Sequence, residues 1–499
     1  MAANDEQPPL HILFFPFLAP GHLIPIADMA ALFAARGARC TILTTPVNAA
    51  IIRPAVDRAN ESNSSRGTKD TTHAIKITVV PFPDVGLPPS VENGTGLTDQ
   101  ADRENFSRAI QLLREPFDQF LSDKHNHPVD AVVADSHFQW SVEAAAAHGV
   151  PRIAFLGTSM FARACTDIML RENPMMEPSP DQDDPDAMVI LPGLPHRVEL
   201  RRSQMPDPRK QPKVIAFFKV VNEEDQRSYG EVFNSFHDLE PDYVEHYQTT
   251  LGRRVWLVGP VARPDMDARG SGNTSSSTLS AEADGCLRWL DAKPAGSVVY
   301  VSFGTLSNFS PDELRELARG LDLSGRYFLW VIGTGAITNA APSSEWMPDG
   351  FAELLAGGER GLLVQGWAPQ VLILNHPALG GFLTHCGWNS VLEAVTAGVP
   401  MVTWPRFGDQ FFNEKLVVEL LKVGASVGAK DYASAIETHH LIGAEVITES
   451  IGRVMGINGD TIRSNAKELG AKARGAVENG GSSYGDIGRL MEELMARRS

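Results

Sequence analysis

Short apolar runs alternate with longer amphipathic segments along the first half of the chain. The runs are rich in β-branched and aromatic residues, which predicts buried strands of a parallel sheet covered on both faces. The predicted strands are residues 11–17, 40–45, 75–82, 131–134 and 152–156. Helical patterns lie between them, over residues 24–36 and 140–148, and each stops at a glycine. Alternating strands and helices predict a doubly wound α/β unit.

The same alternation starts afresh in the second half of the chain. Its predicted strands are residues 255–258, 297–302, 327–332, 361–365, 381–384 and 400–404. We therefore expect two α/β domains, residues 1–250 and residues 251–475. Residues 262–285 are rich in Gly, Ser and Asp and predict a flexible loop near the boundary, and the polar residues 177–186 predict an exposed loop. Ligands of such sheets bind at the carboxyl ends of the strands, so we expect a cleft with two half-sites.

The length of the chain predicts at least two domains, and its charge disfavours some classes of binding partner. The 499 residues exceed the roughly 300 at which one hydrophobic core stops growing. The formal net charge of −17 disfavours binding to nucleic acid or anionic lipid. The chain has four cysteines, without metal or redox spacing, and its N-terminal apolar run is short and broken by prolines. We expect a reduced, cytoplasmic compartment, no secretory signal and no membrane insertion.

The segment from Trp367 to Gln410 carries most of the candidate chemistry. A predicted strand is followed by the turn sequence HCGWNS and then by a predicted helix from about residue 390 to 397. A strand, a tight turn and a helix N-terminus form an anion site, because free backbone N–H groups and the helix dipole point at the ligand. A diphosphate would fit there. Trp367 could stack on a planar base, and Asp409 and Gln410 could bind sugar hydroxyls.

Each of these features has a structural alternative. Ser390 and Glu393 have the spacing of a helix capping box. Trp367 could belong to the hydrophobic core, His385 could be a structural histidine, and Asp409 could be an ordinary loop residue. All of these alternatives would have to hold at once to explain the whole segment.

His22 and Asp135 follow two strands predicted for the same sheet. His22 lies directly after the first strand and just before the first predicted helix. An alcohol is a poor nucleophile until a base removes its proton, and histidine titrates in the range that such a base needs. A carboxylate beside the imidazole would hold it and stabilise its cation. The alternatives are a structural histidine and, for Asp135, a helix N-cap.

The segment from Trp367 to Gln410 resembles, without a gap, the 44-residue signature of plant secondary-product glycosyltransferases of family 1. The resemblance extends to FFPFLAPGHLIPIADMA, VVADSHFQW, SYGEVFNSF and VSFGTLSN. It implies a GT-B fold, in which two doubly wound Rossmann-like domains face each other across a cleft. Residues 1–250 would bind the acceptor, residues 251–475 would bind the UDP-sugar, and residues 476–499 would form a helix that packs back on the first domain.

The resemblance also implies a role for each residue of the donor site. Trp367 would stack on uracil, and the backbone of Ala368 would bond to the edge of that base. The ribose hydroxyls would be held by Gln370 and Glu393. The diphosphate would be contacted by Thr305, His385, Asn389 and Ser390. The sugar would be bound by Trp388, Asp409 and Gln410. The residues PRFG before Asp409 depart from the family's usual sequence pattern, but the two final residues of the signature are retained.

For the reaction, the resemblance implies an inverting transfer with His22 as the base and Asp135 as its partner. No metal and no cofactor are expected, since UDP-glucose is a co-substrate and the helix N-terminus can stabilise the diphosphate. In related enzymes a glutamine at the position of Gln410 tends to accompany the use of UDP-glucose. A flavonoid or other phenol is the expected acceptor, with a terpenoid or steroid alcohol, or another UDP-sugar, as alternatives. We expect a monomer.

Several apolar residues of the first half are candidates for the lining of the acceptor pocket. The candidate lining residues, each of which could equally be core, are Phe17, Phe138, Trp140, Met160, Phe161, Met205, Phe217 and Phe218. Two other classes of protein also fit doubly wound sheets. A nicotinamide dehydrogenase is disfavoured because no G-x-G-x-x-G follows the first strand. A non-catalytic protein that binds sugar nucleotides would keep the second site but would not need His22 or Asp135.

Overall fold

The first half of the chain builds a parallel sheet of seven strands. The computed structural model describes residues 8–65, 74–123, 128–176, 183–262, 276–333, 343–432 and 439–498. The strands up to residue 257 are β1 (His11–Phe15), β2 (Arg39–Thr44), β3 (Ile75–Val79), β4 (Ala131–Asp135), β5 (Arg152–Phe155), β6 (Met188–Leu191), β7 (Val198–Arg201), β8 (Gly230–Phe233) and β9 (Val255–Leu257). The sheet order is β3-β2-β1-β4-β5-β8-β9, and β6 and β7 form a separate antiparallel pair.

Helices connect these strands, as expected for a doubly wound unit. They are α1 (Pro20–Ala34), α2 (Pro46–Ser65), α3 (Gln100–Leu112), α4 (Arg114–Ser122), α5 (Ser141–Ala147), α6 (Met160–Arg171), α7 (Pro212–Gln226) and α8 (Pro241–Glu245). Helix α1 begins four residues earlier than predicted, because Pro20 stands in its first turn, where a missing N–H costs nothing. His22 therefore lies inside the first turn of α1 and not ahead of the helix.

The second half builds a six-stranded parallel sheet. Its strands are β10 (Val298–Ser302), β11 (Tyr327–Ile332), β12 (Gly361–Gln365), β13 (Leu379–Thr384), β14 (Met401–Thr403) and β15 (Gly424–Ser426), in the order β12-β11-β10-β13-β14-β15. The helices are α9 (Ser276–Asp291), α10 (Pro311–Leu323), α11 (Ser343–Trp346), α12 (Phe351–Ala356), α13 (Gln370–Leu374), α14 (Trp388–Ala397), α15 (Gln410–Lys415), α16 (Ala444–Met455), α17 (Asp460–Ala476) and α18 (Ser482–Ala496). Two parallel sheets with covering helices confirm the predicted fold class.

Two predictions about the middle of the chain are wrong. Strand β9 pairs with β8 and closes the first sheet, whereas the pattern had placed residues 255–258 in the second one. The predicted loop 262–285 is in part helical, since α9 begins at Ser276. Residues 263–275 of that loop lie outside the described residues. Of the other predicted loop, residues 183–186 are exposed and residues 177–182 lie outside the described part.

The last helix returns to the first sheet. Apolar side chains of α18, among them Ile487 and Leu490, belong to the same buried cluster as Phe14 of β1. Burying a side chain of this size stabilises a fold by about 2 kcal/mol. The Asp486 carboxylate accepts a hydrogen bond of 2.8 Å from the backbone N–H of Leu257. The C-terminal helix thus ties the end of the chain to the half that carries His22.

Candidate active site

Two histidines and one aspartate meet at the carboxyl edge of the first sheet. Asp135 is the last residue of β4, and its side chain is fully buried. His22 Nδ1 lies 2.6 Å from Asp135 Oδ2, and His137 Nδ1 lies 2.8 Å from Asp135 Oδ1. The backbone N–H of His137 also donates to Asp135 Oδ1. Asp135 does not cap a helix, because α5 begins only at Ser141 and Trp140 occupies its N-cap.

The electrostatics of this cluster suit a general base. Burial lowers the pKa of His22, but the charge and hydrogen bond of Asp135, together with the charge of Asp409, outweigh burial, so the pKa is raised. Burial alone would raise the pKa of Asp135, yet the attraction and hydrogen bonds of His22 and His137 hold that pKa far below its usual range. Asp135 is therefore an anion that keeps each Nδ1 protonated, which leaves His22 Nε2 as the basic atom.

The edge of the second sheet also presents a histidine, but no carboxylate in the described part of the chain is paired with it. His385 follows β13, and the turn into α14 places Cys386 at a φ of 64°, in the left-handed region. A Cβ atom on Gly304 or Gly387 would lie only 2.8 Å or 2.5 Å from His385 Nε2, so both positions need glycine. Burial lowers the pKa of His385 to about 4. This imidazole is neutral at physiological pH.

A hydrogen-bonded group of four side chains lies beside the start of α14. The amide nitrogen of Gln370 donates to Ser390 Oγ at 3.0 Å and to Glu393 Oε2 at 2.8 Å, and the Tyr300 hydroxyl donates to the Gln370 oxygen at 3.1 Å. Ser390 and Glu393 do not form a capping box, because the N-cap of α14 is Gly387. The structure thus brings three of the predicted donor residues into one polar group and removes their simplest structural explanation.

The remaining predicted base and phosphate contacts include residues that follow two other strands of the same sheet. Trp367 follows β12 after Gly366, whose φ of 100° suits only glycine. The Trp367 side chain is half-buried and so does not belong to the closed core, and Ala368 is buried. Thr305 lies exposed in the turn after β10.

Polar contacts join the two halves of the molecule next to His22. The amide nitrogen of Asn389 donates to the carbonyl oxygen of Gly21 at 2.7 Å. The hydroxyl of Thr158 donates to Asp409 Oδ2 at 2.6 Å. Burial raises the pKa of Asp409, while the Thr158 hydrogen bond and the charge of His22 oppose that rise. The predicted sugar contact Asp409 and the predicted phosphate contact Asn389 therefore lie against the half of the molecule that carries His22.

Two predicted sugar contacts differ from expectation. The Trp388 side chain is buried, and its indole N–H donates to the carbonyl oxygen of Asn234 at 2.8 Å, so the side chain cannot bind a sugar. Only the backbone of Trp388 remains available for that role. The oxygen of the Gln410 side chain accepts hydrogen bonds from the backbone N–H groups of Arg406 and Phe407. Its amide nitrogen is the end that can donate to a sugar hydroxyl.

Arg406 is a buried charged residue next to Gln410 that the sequence did not single out. Its buried guanidinium bonds to Glu313 Oε1 at 2.6 Å and to the carbonyl oxygen of Asn308 at 2.7 Å. It thereby joins the loop before Gln410 to the loop after β10. The difference between PRFG and the family's usual sequence pattern is the feature of the sequence that could have indicated Arg406.

The apolar candidates separate into core and cleft residues. Five are almost fully buried in the hydrophobic core: Phe138, Trp140, Met160, Phe161 and Met205. The other three surround His137. Phe17 stacks on its ring with 4.5 Å between centroids, and Phe217 and Phe218 lie at 5.7 Å and 6.2 Å. An aromatic wall therefore borders the catalytic candidates.

Among the described residues, His22, Asp135 and His137 are the one group of three such side chains placed closely enough to hold a metal ion. Their ligand atoms lie within 4.8 Å of one another. The hydrogen bonds between them account for the arrangement equally well, because each carboxylate oxygen already accepts a hydrogen bond from one imidazole.

Two facing Rossmann-like units with the polar edges described above define a glycosyltransferase of the GT-B fold. Residues 214–444 match the family described as UDP-glucoronosyl and UDP-glucosyl transferase. The scopoletin glucosyltransferase of Nicotiana tabacum is 40% identical over 97% of this chain and 98% of the relative. UDP-glucose flavonoid 3-O-glucosyltransferase 7 of Fragaria ananassa is 40% identical over 97% and 96%. The chain belongs to the plant UDP-glycosyltransferases.

Solved structures support the same assignment. The Glycyrrhiza uralensis UGT73P12, complexed with glycyrrhetinic acid 3-O-monoglucuronide, is 36% identical and superposes with a TM-score of 0.85 over 98% of this chain and 96% of that one. The Medicago truncatula UGT71G1, complexed with UDP-glucose, is 25% identical with a TM-score of 0.79 over 99% and 100%. The protein is thus an enzyme with a UDP-sugar as co-substrate, as predicted. In the part of the chain that the structure describes, no helix combines the length and apolarity that crossing a membrane requires.

Proposed function

We propose that the protein transfers glucose from UDP-glucose to a hydroxyl of a small phenolic acceptor, with inversion at the anomeric carbon. The observation that carries this proposal is the His22–Asp135 pair of 2.6 Å, set beside Asp409 from the other half of the molecule. A base on one wall and a sugar-binding acid on the other define where the acceptor oxygen and the anomeric carbon would meet.

In this reaction His22 Nε2 removes the proton of the acceptor hydroxyl as its oxygen attacks the anomeric carbon. The new bond forms on the face opposite the departing UDP, so an α-linked donor gives a β-glycoside. Asp135 stabilises the imidazolium that forms. The proton can then leave His22 to solvent, because its side chain is 23% exposed.

The second half of the molecule holds the donor. The N-terminus of α14, with Asn389 and Ser390 in its first turn and Thr305 nearby, receives the diphosphate and stabilises the negative charge that grows on the leaving UDP. Neutral His385 acts as a hydrogen-bonding group and not as a cation. Trp367 stacks on the uracil, and the backbone of Ala368 bonds to the edge of that base. Gln370 and Glu393 bind the ribose hydroxyls. The sugar lies against Asp409, Gln410 and the backbone of Trp388.

The acceptor class follows from the aromatic wall of Phe17, Phe217 and Phe218 and from relatives named for scopoletin and flavonoids. A terpenoid alcohol is the second candidate, since one solved relative is complexed with glycyrrhetinic acid 3-O-monoglucuronide. The four cysteines are buried and none of them forms a disulfide bond, which supports a reducing compartment, and we propose a cytoplasmic monomer.

The test is a panel of flavonoids, coumarins, triterpenoids and sterols incubated with UDP-glucose, with products identified by mass spectrometry and the anomeric configuration by NMR. The proposal predicts β-glucosides of phenols together with equimolar UDP. Glucosides of terpenoid alcohols alone would favour the second candidate. UDP binding without acceptor-dependent UDP release would indicate a binding protein.

A further inference from the structure

One carboxylate orients two imidazoles at the edge of the first sheet. The two oxygens of Asp135 each accept a hydrogen bond from one Nδ1 atom, at 2.6 Å from His22 and at 2.8 Å from His137. A carboxylate is an acceptor only, so both Nδ1 atoms carry the proton. Each neutral ring then has its free lone pair on Nε2. His137 is therefore prepared, like His22, to accept a hydrogen bond.

The two Nε2 atoms are available to a ligand. Neither has a hydrogen-bond partner among the described residues, and neither is a buried polar atom without a partner. The bonds at the two nitrogens of an imidazole point in widely different directions, so Nε2 faces away from Asp135. His137 would need only Nδ1 and its backbone N–H to support Asp135, and an exposed Nε2 adds nothing to that role.

The surroundings of His137 define the shape of what binds there. One face of its ring stacks on Phe17 with an interplanar angle of 28°, and Phe217 and Phe218 lie beside it. The His22 ring stands edge-on to it, with the centroids 5.1 Å apart. Two hydrogen-bond acceptors thus lie close together at the end of an aromatic wall.

We propose that His137 is a specificity-determining residue that accepts a hydrogen bond from a second hydroxyl of the acceptor, beside the hydroxyl that His22 deprotonates. The favoured substrates are then phenols with two hydroxyl groups on one ring. This inference rests on the proposed function. A methoxyl group in place of the second hydroxyl has no proton to donate, so it forms no such bond.

Three 7-hydroxycoumarins that carry a hydroxyl, a methoxyl or a hydrogen at carbon 6 test the inference. We would measure kcat/KM for each with saturating UDP-glucose and EDTA at about pH 8, where an ordinary imidazole is neutral. The wild type should prefer the dihydroxy compound to the other two by about 5- to 10-fold, the contribution of one hydrogen bond. Equal values for the hydroxyl and methoxyl compounds would overturn the inference without any variant.

Two variants assign the preference to His137. In His137→Asn the amide can still donate to Asp135 from the place of Nδ1, but no atom replaces Nε2, so the preference should fall towards one. In His137→Gln a polar atom lies near the place of Nε2, and part of the preference should return. A His137→Asn enzyme that keeps the full preference would contradict the inference. Turnover of all three coumarins without preference removes only this inference, whereas no acceptor-dependent UDP release from any of them removes the proposed function as well.

Discussion

The two sheet edges each present a histidine after a central strand, and the two histidines differ in charge behaviour. His22 touches a buried carboxylate at 2.6 Å, and its pKa is raised. His385 has no carboxylate partner among the described residues, and burial lowers its pKa to about 4. In the proposed mechanism the same residue type is thus a base on the acceptor side and a neutral hydrogen-bonding group on the donor side. A neighbouring carboxylate, and not the place in the fold, decides between these roles.

The two edges also differ in how their polar atoms are satisfied. In the acceptor half both oxygens of Asp135 accept hydrogen bonds from imidazoles. In the donor half His385 Nδ1 is buried without a partner among the described residues. Burying such an atom unpaired costs about 1 to 3 kcal/mol, and such costs are found where a ligand or water completes the site. The donor edge therefore has the features of a site that is completed by its ligand.

Loss of the Asp135 charge should lower the pKa of His22 and bring it closer to the pKa of His385. In Asp135→Asn the charge that raises the pKa of His22 is lost, while a hydrogen-bonding oxygen remains. We expect kcat to fall by about 10- to 100-fold, a substantial part of what general base catalysis supplies. Thermal unfolding near the wild-type temperature is the control for folding. Wild-type turnover in this variant would reduce Asp135 to a structural residue.

The pH dependence of the wild type sharpens the same contrast. The base must be neutral to accept a proton, so kcat/KM should fall about tenfold per pH unit as the pH drops through the raised pKa of His22, above 6.5. In Asp135→Asn this limb should move to lower pH. His385 should add no limb above about pH 5, because its pKa is about 4. A flat profile from pH 5 to pH 8, which are about the limits of an ordinary histidine titration, would be inconsistent with His22 as the base.

The donor edge is tested by Gln410→His, which changes a residue that is 5% exposed. Glucose and galactose differ in the direction of one hydroxyl, and discrimination depends on where a few hydrogen bonds are placed. We expect kcat/KM with UDP-glucose to fall about fivefold more than with UDP-galactose, the contribution of one hydrogen bond. Because the ratio of the two donors is compared with one acceptor, any uniform damage to the loop cancels. An unchanged ratio would mean that the sugar is selected elsewhere.

Chelation should have the smallest effect. In the proposed mechanism the donor edge stabilises the diphosphate through backbone N–H groups and side chains, so EDTA should leave the transfer rate unchanged. The same measurement tests the His22, Asp135 and His137 cluster as a metal site. Loss of activity on chelation, restored by added divalent metal, would contradict this account of both edges.

Much of the fold could be predicted, because buried strands appear in the sequence as short apolar runs. The sheet to which β9 belongs could not, since a three-residue strand carries no information about its partner. The start of α9 at Ser276 was missed because polar, Gly-rich composition also occurs at helix ends. Local patterns describe elements better than they describe neighbours.

The site shows the same limit. The resemblance named the residues of both edges, and the structure brings His22 to Asp135 across 113 positions of sequence. The pairing of Arg406 with Glu313, 93 positions apart, leaves no local pattern. His137 stood in the quoted segment VVADSHFQW but was not singled out, because a second histidine on one carboxylate becomes visible only in three dimensions. The buried side chain of Trp388 is the converse case, a residue that resemblance assigned and geometry restricts to its backbone.

We propose that His22 supplies the base while the other half of the molecule holds the donor. The most direct test measures kcat for transfer and, by calorimetry, the Kd for UDP in His22→Ala. We expect kcat to fall about 100-fold or more while the Kd for UDP stays within about twofold of wild type. A variant that keeps most of its turnover, or that loses UDP binding and transfer together, would contradict it.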